Sequence, residues 1–241
     1  MMRLDRLLAT LALGSRAQVK DLIRQGRVQV NEATATNPAL NVADTDRVAV
    51  DGRPLDTRTQ RHLMMNKPVG VLTAARDRRQ PTVMDLLSPL YISCGCMPVG
   101  RLDKDTEGLL LFTTDGQAAH RLLAPQNEVP KVYRARVSGC LTAQTVQRFA
   151  EGIALSDFTA LPANLTILEA APEESVAEVL VHEGKFHQVR RMFGACGHEV
   201  LALKRLRFGP LTLDDALSPG QCRELSDAEW QSLLGEVAFR A

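Results

Sequence analysis

Residues 99 to 116, VGRLDKDTEGLLLFTTDG, set three acids, Asp103, Asp105 and Glu107, at alternate positions directly before an unbroken apolar block, Leu109-Leu110-Leu111-Phe112. Asp103 stands two residues after Arg101, and Gly100 and Gly108 flank the segment. A glycine-flanked loop lets backbone approach a ligand closely. A carboxylate beside a cation suits a nucleophile or an electrostatic base better than a proton donor. The same spacing also describes a surface ion pair in a loop, which is the commoner case. A calcium loop is excluded, because Phe112 stands where the closing acid five residues beyond Glu107 belongs, and the glycine is misplaced. His182 and His187 fall in different elements and read as structural histidines, not as metal ligands. There is no Gly-Lys-Ser/Thr phosphate loop, no dinucleotide fingerprint and no defensible Ser/His/Asp arrangement. The chemistry on offer is that of a carboxylate, with no cofactor and no metal called for.

The surroundings of that carboxylate are cationic. Between residues 185 and 207 lie Lys185, Arg190, Arg191, Lys204, Arg205 and Arg207, against Glu199 alone. The segment from Arg3 to Arg27 carries six basic residues against Asp5 and Asp21. With a net charge of only +1, these are local features: either anion-facing patches or solvated helix faces.

The elements that must position these residues follow from periodicity. Leu4, Leu7, Leu8 and Leu11 share one helical face. Ser15 is an N-cap for a second helix, SRAQVKDLIRQG, closed at Gly26. On that helix Arg16, Lys20 and Arg24 recur every four residues as one basic stripe, while Val19, Leu22 and Ile23 turn toward a core. RVQVN and RVAVDG are short strands, and RPLDTRTQR, 53 to 61, reads as a linker. Beyond it, HLMMNKPVGVL is a strand broken at Lys67-Pro68, since proline gives no ladder hydrogen bond. VYRARV and AEVLVHEG alternate as strands, whereas TAQTVQRFAEG, FHQVRRMFGACG and SDAEWQSLL are helices. Strands and helices mix without a βαβ rhythm, which predicts an α+β fold with a mixed, largely antiparallel sheet. Two domains are expected, 1–60 with its linker and 61–241. The Leu109-to-Phe112 block becomes a core strand that anchors the acidic loop, leaving Asp105 and Glu107 as loop-surface charges.

Five cysteines at irregular spacing read as reduced thiols, and no run approaches the roughly 20 apolar residues of a membrane span, so a cytoplasmic protein is expected.

Taken together, the blocks resemble the pseudouridine synthases of the RsuA group, the ribosomal small-subunit enzymes and their large-subunit relatives. GRLDKDTEGLLLFTTDG resembles the signature loop and strand, NKPVG the first motif, KVYRARV the tyrosine motif, and EGKFHQVRRMFGACGHEVLALKRLRFG the third. LSPGQCRELS is similar to the closing segment, and the N-terminal module to the small α-L, S4-like RNA-binding domain. The blocks stand in the family's order and span nearly the whole chain; the stretches 80–98 and 157–175 match poorly and are expected to be variable loops.

The resemblance implies an enzyme, an isomerase that converts a uridine of ribosomal RNA to pseudouridine without a cofactor. Small-subunit RNA is the expected substrate, a large-subunit target the alternative, and a non-catalytic ribosome assembly factor the rival of another class. A glycosidase would want a second carboxylate as proton donor. By the same resemblance Asp103 is the catalytic aspartate, Tyr133 the residue that stacks on the target base, and Arg190 the cation that pairs with Asp103. Arg101 lies near the flipped nucleotide, and Lys67 with Pro68 shapes the site floor on the substrate side. Arg16, Lys20 and Arg24 would hold RNA phosphates. The partner is ribosomal RNA, in an assembly intermediate of the small subunit, and the enzyme is expected to be a monomer away from membranes.

Overall fold

The computed structural model describes residues 1–238, and the chain divides into two compact units. One holds Met1–Arg61 with Leu87–Met97 and Thr113–Asp115; the other holds His62–Leu86, Pro98–Phe112 and the chain from Gly116 onward. Two short later segments of the chain thus join the first unit.

In the first unit the helix Leu4–Thr10 buries Leu4, Leu7 and Leu8. The helix Arg16–Arg24 starts with a full capping box: Gln18 N–H donates to Ser15 Oγ and Ser15 N–H to Gln18 Oε1. Val19 and Ile23 are wholly buried, whereas Arg16 and Arg24 are exposed and Lys20 partly so. Helical periodicity thus separates core from charge as the spacing predicts. A four-stranded antiparallel sheet runs Ala33–Ala35, Val28–Val30, Val48–Val50, Arg53–Pro54. Asp51 and Gly52, both at positive φ, turn the last hairpin. The stretch 53–61 is therefore not a plain linker. Arg53–Pro54 is an edge strand, where proline is tolerated, and Arg61 is 3% exposed with Nη1 2.9 Å from Asp56.

The second unit is built on a nine-stranded sheet. Its main path runs Asn164–Ala170, Glu174–Val181, Lys131–Ser138, Val200–Phe208, Thr106–Thr113, His62–Lys67, Cys222–Glu224. Lys131–Ser138 is antiparallel to both neighbours, while Thr106–Thr113 and Val200–Phe208 are parallel. The expected mixed, largely antiparallel sheet is what forms. Leu109 to Phe112 are all at most 1% exposed, so this strand is covered on both faces, which explains its unbroken apolar run. The strand begins earlier than the apolar block, at Thr106, and Glu107 lies on it rather than in the loop. Leu109 and Leu111 pack with Met64, Phe208, Trp230 and Leu233 in one core cluster. The helices Ala143–Glu151 and Gln188–Ala195 meet through Phe149 and Phe193, ring centroids 4.9 Å apart. The stretches 80–98 and 157–175 are not loops throughout. They contain the helix Pro89–Cys94 and the strand Asn164–Ala170, whose sequences are too short or too polar to announce themselves.

One irregularity sets the geometry of the site. Along the Lys131–Ser138 strand, Val132 pairs with Arg207 but the next residue, Tyr133, pairs with Arg205. Leu206 is the extra residue of a β-bulge, and it switches the alternation of its strand. Arg205 and Phe208 thereby come to the same face as Lys131 and Tyr133.

Candidate active site

That face forms part of a cleft of about 730 Å³ in the second unit, within the usual range of ligand sites. Arg101, Asp103, Tyr133 and Arg190, expected together from the sequence, all line it. One loop, one strand and one helix, far apart in the chain, bring them there, so no local pattern could have shown their meeting.

The loop that carries Asp103 is fixed through its backbone by the segment after Asn66. Lys67 is 0% exposed, and its ammonium donates to the carbonyls of Pro68 (2.9 Å), Asp103 (3.1 Å), Lys104 (3.4 Å) and Thr106 (2.9 Å). Gly70 N–H donates to Lys104 O at 2.7 Å. Thr73 Oγ1 donates to Leu102 O at 2.7 Å and accepts from Leu102 N–H at 3.2 Å. The expectation that Lys67 contacts substrate is corrected by this burial: its charge is spent on the loop. Burial pushes the Lys67 ammonium down to about 8, against the opposing pull of Asp103, Asp105 and Glu107.

From the other end of the loop, Gly108 sits at φ +102°, directly beside Arg205 in the parallel pairing. A Cβ there would lie 2.3 Å from the Arg205 carbonyl oxygen. Only glycine lets the acidic strand come this close to its neighbour.

The ion pairs differ from expectation. Arg190 does not pair with Asp103. Its Nη2 lies 3.1 Å from the Asp105 carboxylate and also donates to the Asp105 carbonyl, while Nη1 donates to Val200 O. The Asp103 carboxylate instead faces His187, with Nε2 3.3 Å from Oδ1. Two acids on alternate positions of one loop thus take two partners from one helix start, and sequence order alone does not say which takes which. Asp105 is no idle surface charge, since it anchors Arg190 to the same loop. Glu107 lies 4.0 Å from Lys204.

His187, read from the sequence as a structural histidine, is the residue whose place in the cleft the sequence did not show. It precedes the helix Gln188–Ala195 in a left-handed conformation, φ +48°, which turns its ring toward Asp103. Its other neighbour is Phe186, stacked at 3.9 Å and itself 75% exposed. The available signal was adjacency to Arg190 in FHQVRR. Tyr133, 9% exposed, lines the cleft from its strand. Arg101 is exposed at the cleft wall with no acidic partner among the described residues.

Arg16, Lys20 and Arg24 are not among the residues that line this cleft; they lie on the helix Arg16–Arg24 of the first unit. Arg24 reaches Asp21 at 3.5 Å, and the other two have no ion pair among the described residues.

The arrangement offers a rigidly held carboxylate, one aromatic ring and several cations in one concave site. Among the described residues no cluster of three His, Cys, Asp or Glu side chains could hold a metal ion. No helix of the described residues is long and apolar enough to cross a membrane.

Comparison with known proteins gives two family matches, an RNA pseudouridylate synthase model over residues 61–195 and an S4 domain over residues 2–48. The chain is 44% identical over 230 residues to an uncharacterized RNA pseudouridine synthase, YtzG, of Bacillus subtilis (95% of this chain, 96% of that one). It is 36% identical over 235 residues to the ribosomal small subunit pseudouridine synthase A of Vibrio cholerae (96% and 99%). To the ribosomal large subunit pseudouridine synthase B of Bacillus subtilis it is also 36% identical, over 236 residues (97% and 96%).

Proposed function

Since the chain belongs to the RNA pseudouridylate synthase family and is an RNA-modifying isomerase with an S4 domain, we propose that it converts one uridine of small-subunit ribosomal RNA to pseudouridine at the Asp103 cleft. The observation that carries the site assignment is the convergence of Asp103, Tyr133, Arg101 and Arg190 on one cleft, with the Asp103 loop pinned by Lys67.

The chemistry fits these groups. The N1–C1′ bond breaks, the base turns, C5 joins C1′, the hydrogen on C5 leaves as a proton, and the freed N1 takes up a proton. Electrons and atoms balance without any redox partner. The target nucleotide must first leave its stack at a cost of a few kcal/mol, part of which an aromatic contact such as Tyr133 recovers. Asp103 acts at the ribose, as nucleophile at C1′ or as base at C2′. A preorganised charge on a fixed loop needs no rearrangement at the moment of reaction. Arg101 holds the strand beside the flipped nucleotide, and Arg190 acts through Asp105 by keeping the loop in place. Phosphates elsewhere on the RNA meet Arg16, Lys20 and Arg24, and the enzyme works as a cytoplasmic monomer on an assembly intermediate.

A large-subunit target is the second reading, favoured by the equal identity to the Bacillus subtilis large-subunit enzyme. Pseudouridine mapping of ribosomal RNA from a deletion strain separates the two: one site lost from the small-subunit RNA supports the first, one lost from the large-subunit RNA the second.

The catalytic assignment is tested with RNA tritiated at uridine C5. The parent should release one tritium to water per product, with no free uracil and no abasic site. Asp103→Asn, close in shape but unable to attack or to take a proton effectively, should release none, while RNA affinity stays within about 1.4 kcal/mol of the parent. Turnover by Asp103→Asn near the parental rate would remove Asp103 from the chemistry.

A further inference from the structure

Two buried cations of the cleft have no acidic partner among the described residues. Lys131 is 8% exposed and Arg205 3% exposed. Lys131 Nζ lies 5.4 Å from the centroid of the Phe208 ring and Arg205 Cζ 5.3 Å, so two buried positive charges lie beside one apolar ring. Arg205 Nε donates to Leu109 O at 2.7 Å, but its Nη2 is buried with no partner. Lys131 Nζ donates to Val129 O at 2.7 Å and has two further N–H groups to give.

Every acid that lines the cleft is engaged elsewhere. Asp103 faces His187 and Asp105 holds Arg190. Glu183 is taken by Lys185, the Leu161 amide and Gln188. Asp77 accepts the backbone N–H groups of Arg79 and Gln80. A buried charge without a counter-charge is costly, and two of like sign beside one ring cost more. The effect shows on Lys131, which burial, and then Arg205, push down to about 8. The fold has the means to avoid this conflict, since without the bulge at Leu206 the alternation would turn Arg205 and Phe208 to opposite faces. Instead the bulge assembles both charges beneath the cleft, next to Tyr133.

We propose that Lys131 and Arg205 form a buried receptor for one backbone phosphate of the RNA, adjacent to the nucleotide presented to Asp103. The missing counter-charge arrives with the substrate. Lys131 supplies hydrogen bonds to the phosphate oxygens, and the Arg205 guanidinium supplies charge from behind, with its orphan Nη2 as a further donor. Low surrounding dielectric and two neighbouring unpaired positive charges make such a site attract anions strongly. This inference rests on the RNA-modifying reading of the cleft.

The test uses the full chain, Lys131→Met and Lys131→Arg, with filter binding of a substrate RNA over a salt series. Lys131→Met should bind RNA at least tenfold more weakly, with the slope of log affinity against log salt reduced by about 0.7. Lys131→Arg keeps the charge and should regain most of that affinity. The thermal midpoint of Lys131→Met should equal or exceed the parent's, because an unpaired buried charge has gone. Unchanged affinity and slope in Lys131→Met would overturn the proposal. If that variant fails to fold, the parent decides: uridine 5′-monophosphate should raise its thermal midpoint more than uridine does. Equal shifts would mean that the pair reads base or sugar, which overturns the phosphate assignment. A parent that releases no tritium from RNA negates the functional reading itself; a parent that turns over beside an unaltered Lys131→Met negates only the phosphate receptor.

Discussion

At the residue scale the loop that presents Asp103 depends on a charge that never meets solvent. Three N–H groups of Lys67 are shared among four carbonyl oxygens, three of them in the loop from Asp103 to Thr106. Lys67→Met keeps the volume and removes the donors, leaving those oxygens buried and unsatisfied. We expect the unfolding free energy to fall by about 3 kcal/mol or more, read as a lower denaturant midpoint, and tritium release to be lost even where the chain remains folded. A variant with parental stability would show that the loop stands without its ammonium. The buried lysines also set a pH dependence. The folded values of Lys67 and Lys131, about 8, lie below the unfolded value of about 10.5. Between those pH values the unfolded chain binds more protons, so the contribution of each lysine to stability rises with pH across the window. Below pH 8 the full cost of burying the charge is present. Lys131→Met should therefore gain most over the parent near pH 7. That gain should shrink by on the order of 2 kcal/mol by pH 9.5, measured by denaturant unfolding at both values.

At the element scale the register between two strands does the positioning. Gly108 opposes Arg205 in the parallel pair, and a methyl group there meets backbone, which cannot swing aside as a side chain would. Gly108→Ala should lower the thermal midpoint sharply or prevent folding of the second unit. Gly95→Ala is the control, since Gly95 is also left-handed, φ +86°, but has nothing within 4 Å of the added Cβ. It should cost only about 1–2 kcal/mol. Equal losses in the two variants would mean that backbone conformation, not strand approach, explains the glycine. This is also where the limits of the sequence lie. Leu109 to Phe112 declare a buried strand because burial on both faces needs an unbroken apolar run. Ser15 declares a helix start because its hydroxyl has one evident use. Tyr133 and Arg205 declare nothing about each other, because their pairing depends on a bulge, and a one-residue bulge leaves no composition of its own. The exchange of partners between Asp103 and Asp105 has the same cause: His187 and Arg190 sit three residues apart at the start of one helix, and only the turn at φ +48° decides which acid each meets.

For the whole molecule, a net charge of +1 conceals two concentrations of positive charge that the fold places in different units. Arg16 and Arg24 of the stripe are exposed and Lys20 partly so; if the stripe holds RNA as proposed, its contribution to binding is sequence-independent and sensitive to salt. Reversing all three to glutamate should weaken RNA binding and flatten the salt slope by about 2. Exposed charges contribute little to folding, so the thermal midpoint should hold. The rate of tritium release at saturating RNA should stay at the parental level, because no atom of the stripe lines the cleft. Filter binding with an unchanged slope would take the stripe out of the RNA interface.

The parallel pairing of Thr106–Gly108 with Leu203–Arg205 has a consequence in time. The two segments are separated by roughly a hundred residues of chain, and contacts of such long range form slowly because the intervening loop must close first. A chain emerging residue by residue completes its acidic loop early but has no partner strand to lay it against until nearly all the rest has been made. The helices, the hairpin of Lys131–Ser138 with Glu174–Val181 and the core strand can gather beforehand. The pairing at Gly108 forms only once the strand Val200–Phe208 lies between Lys131–Ser138 and Thr106–Thr113. Closure of the sheet is thus a late event in the life of the polypeptide, and a nascent chain stalled before that strand would carry every residue of the Asp103 loop without the neighbour that Gly108 is there to admit.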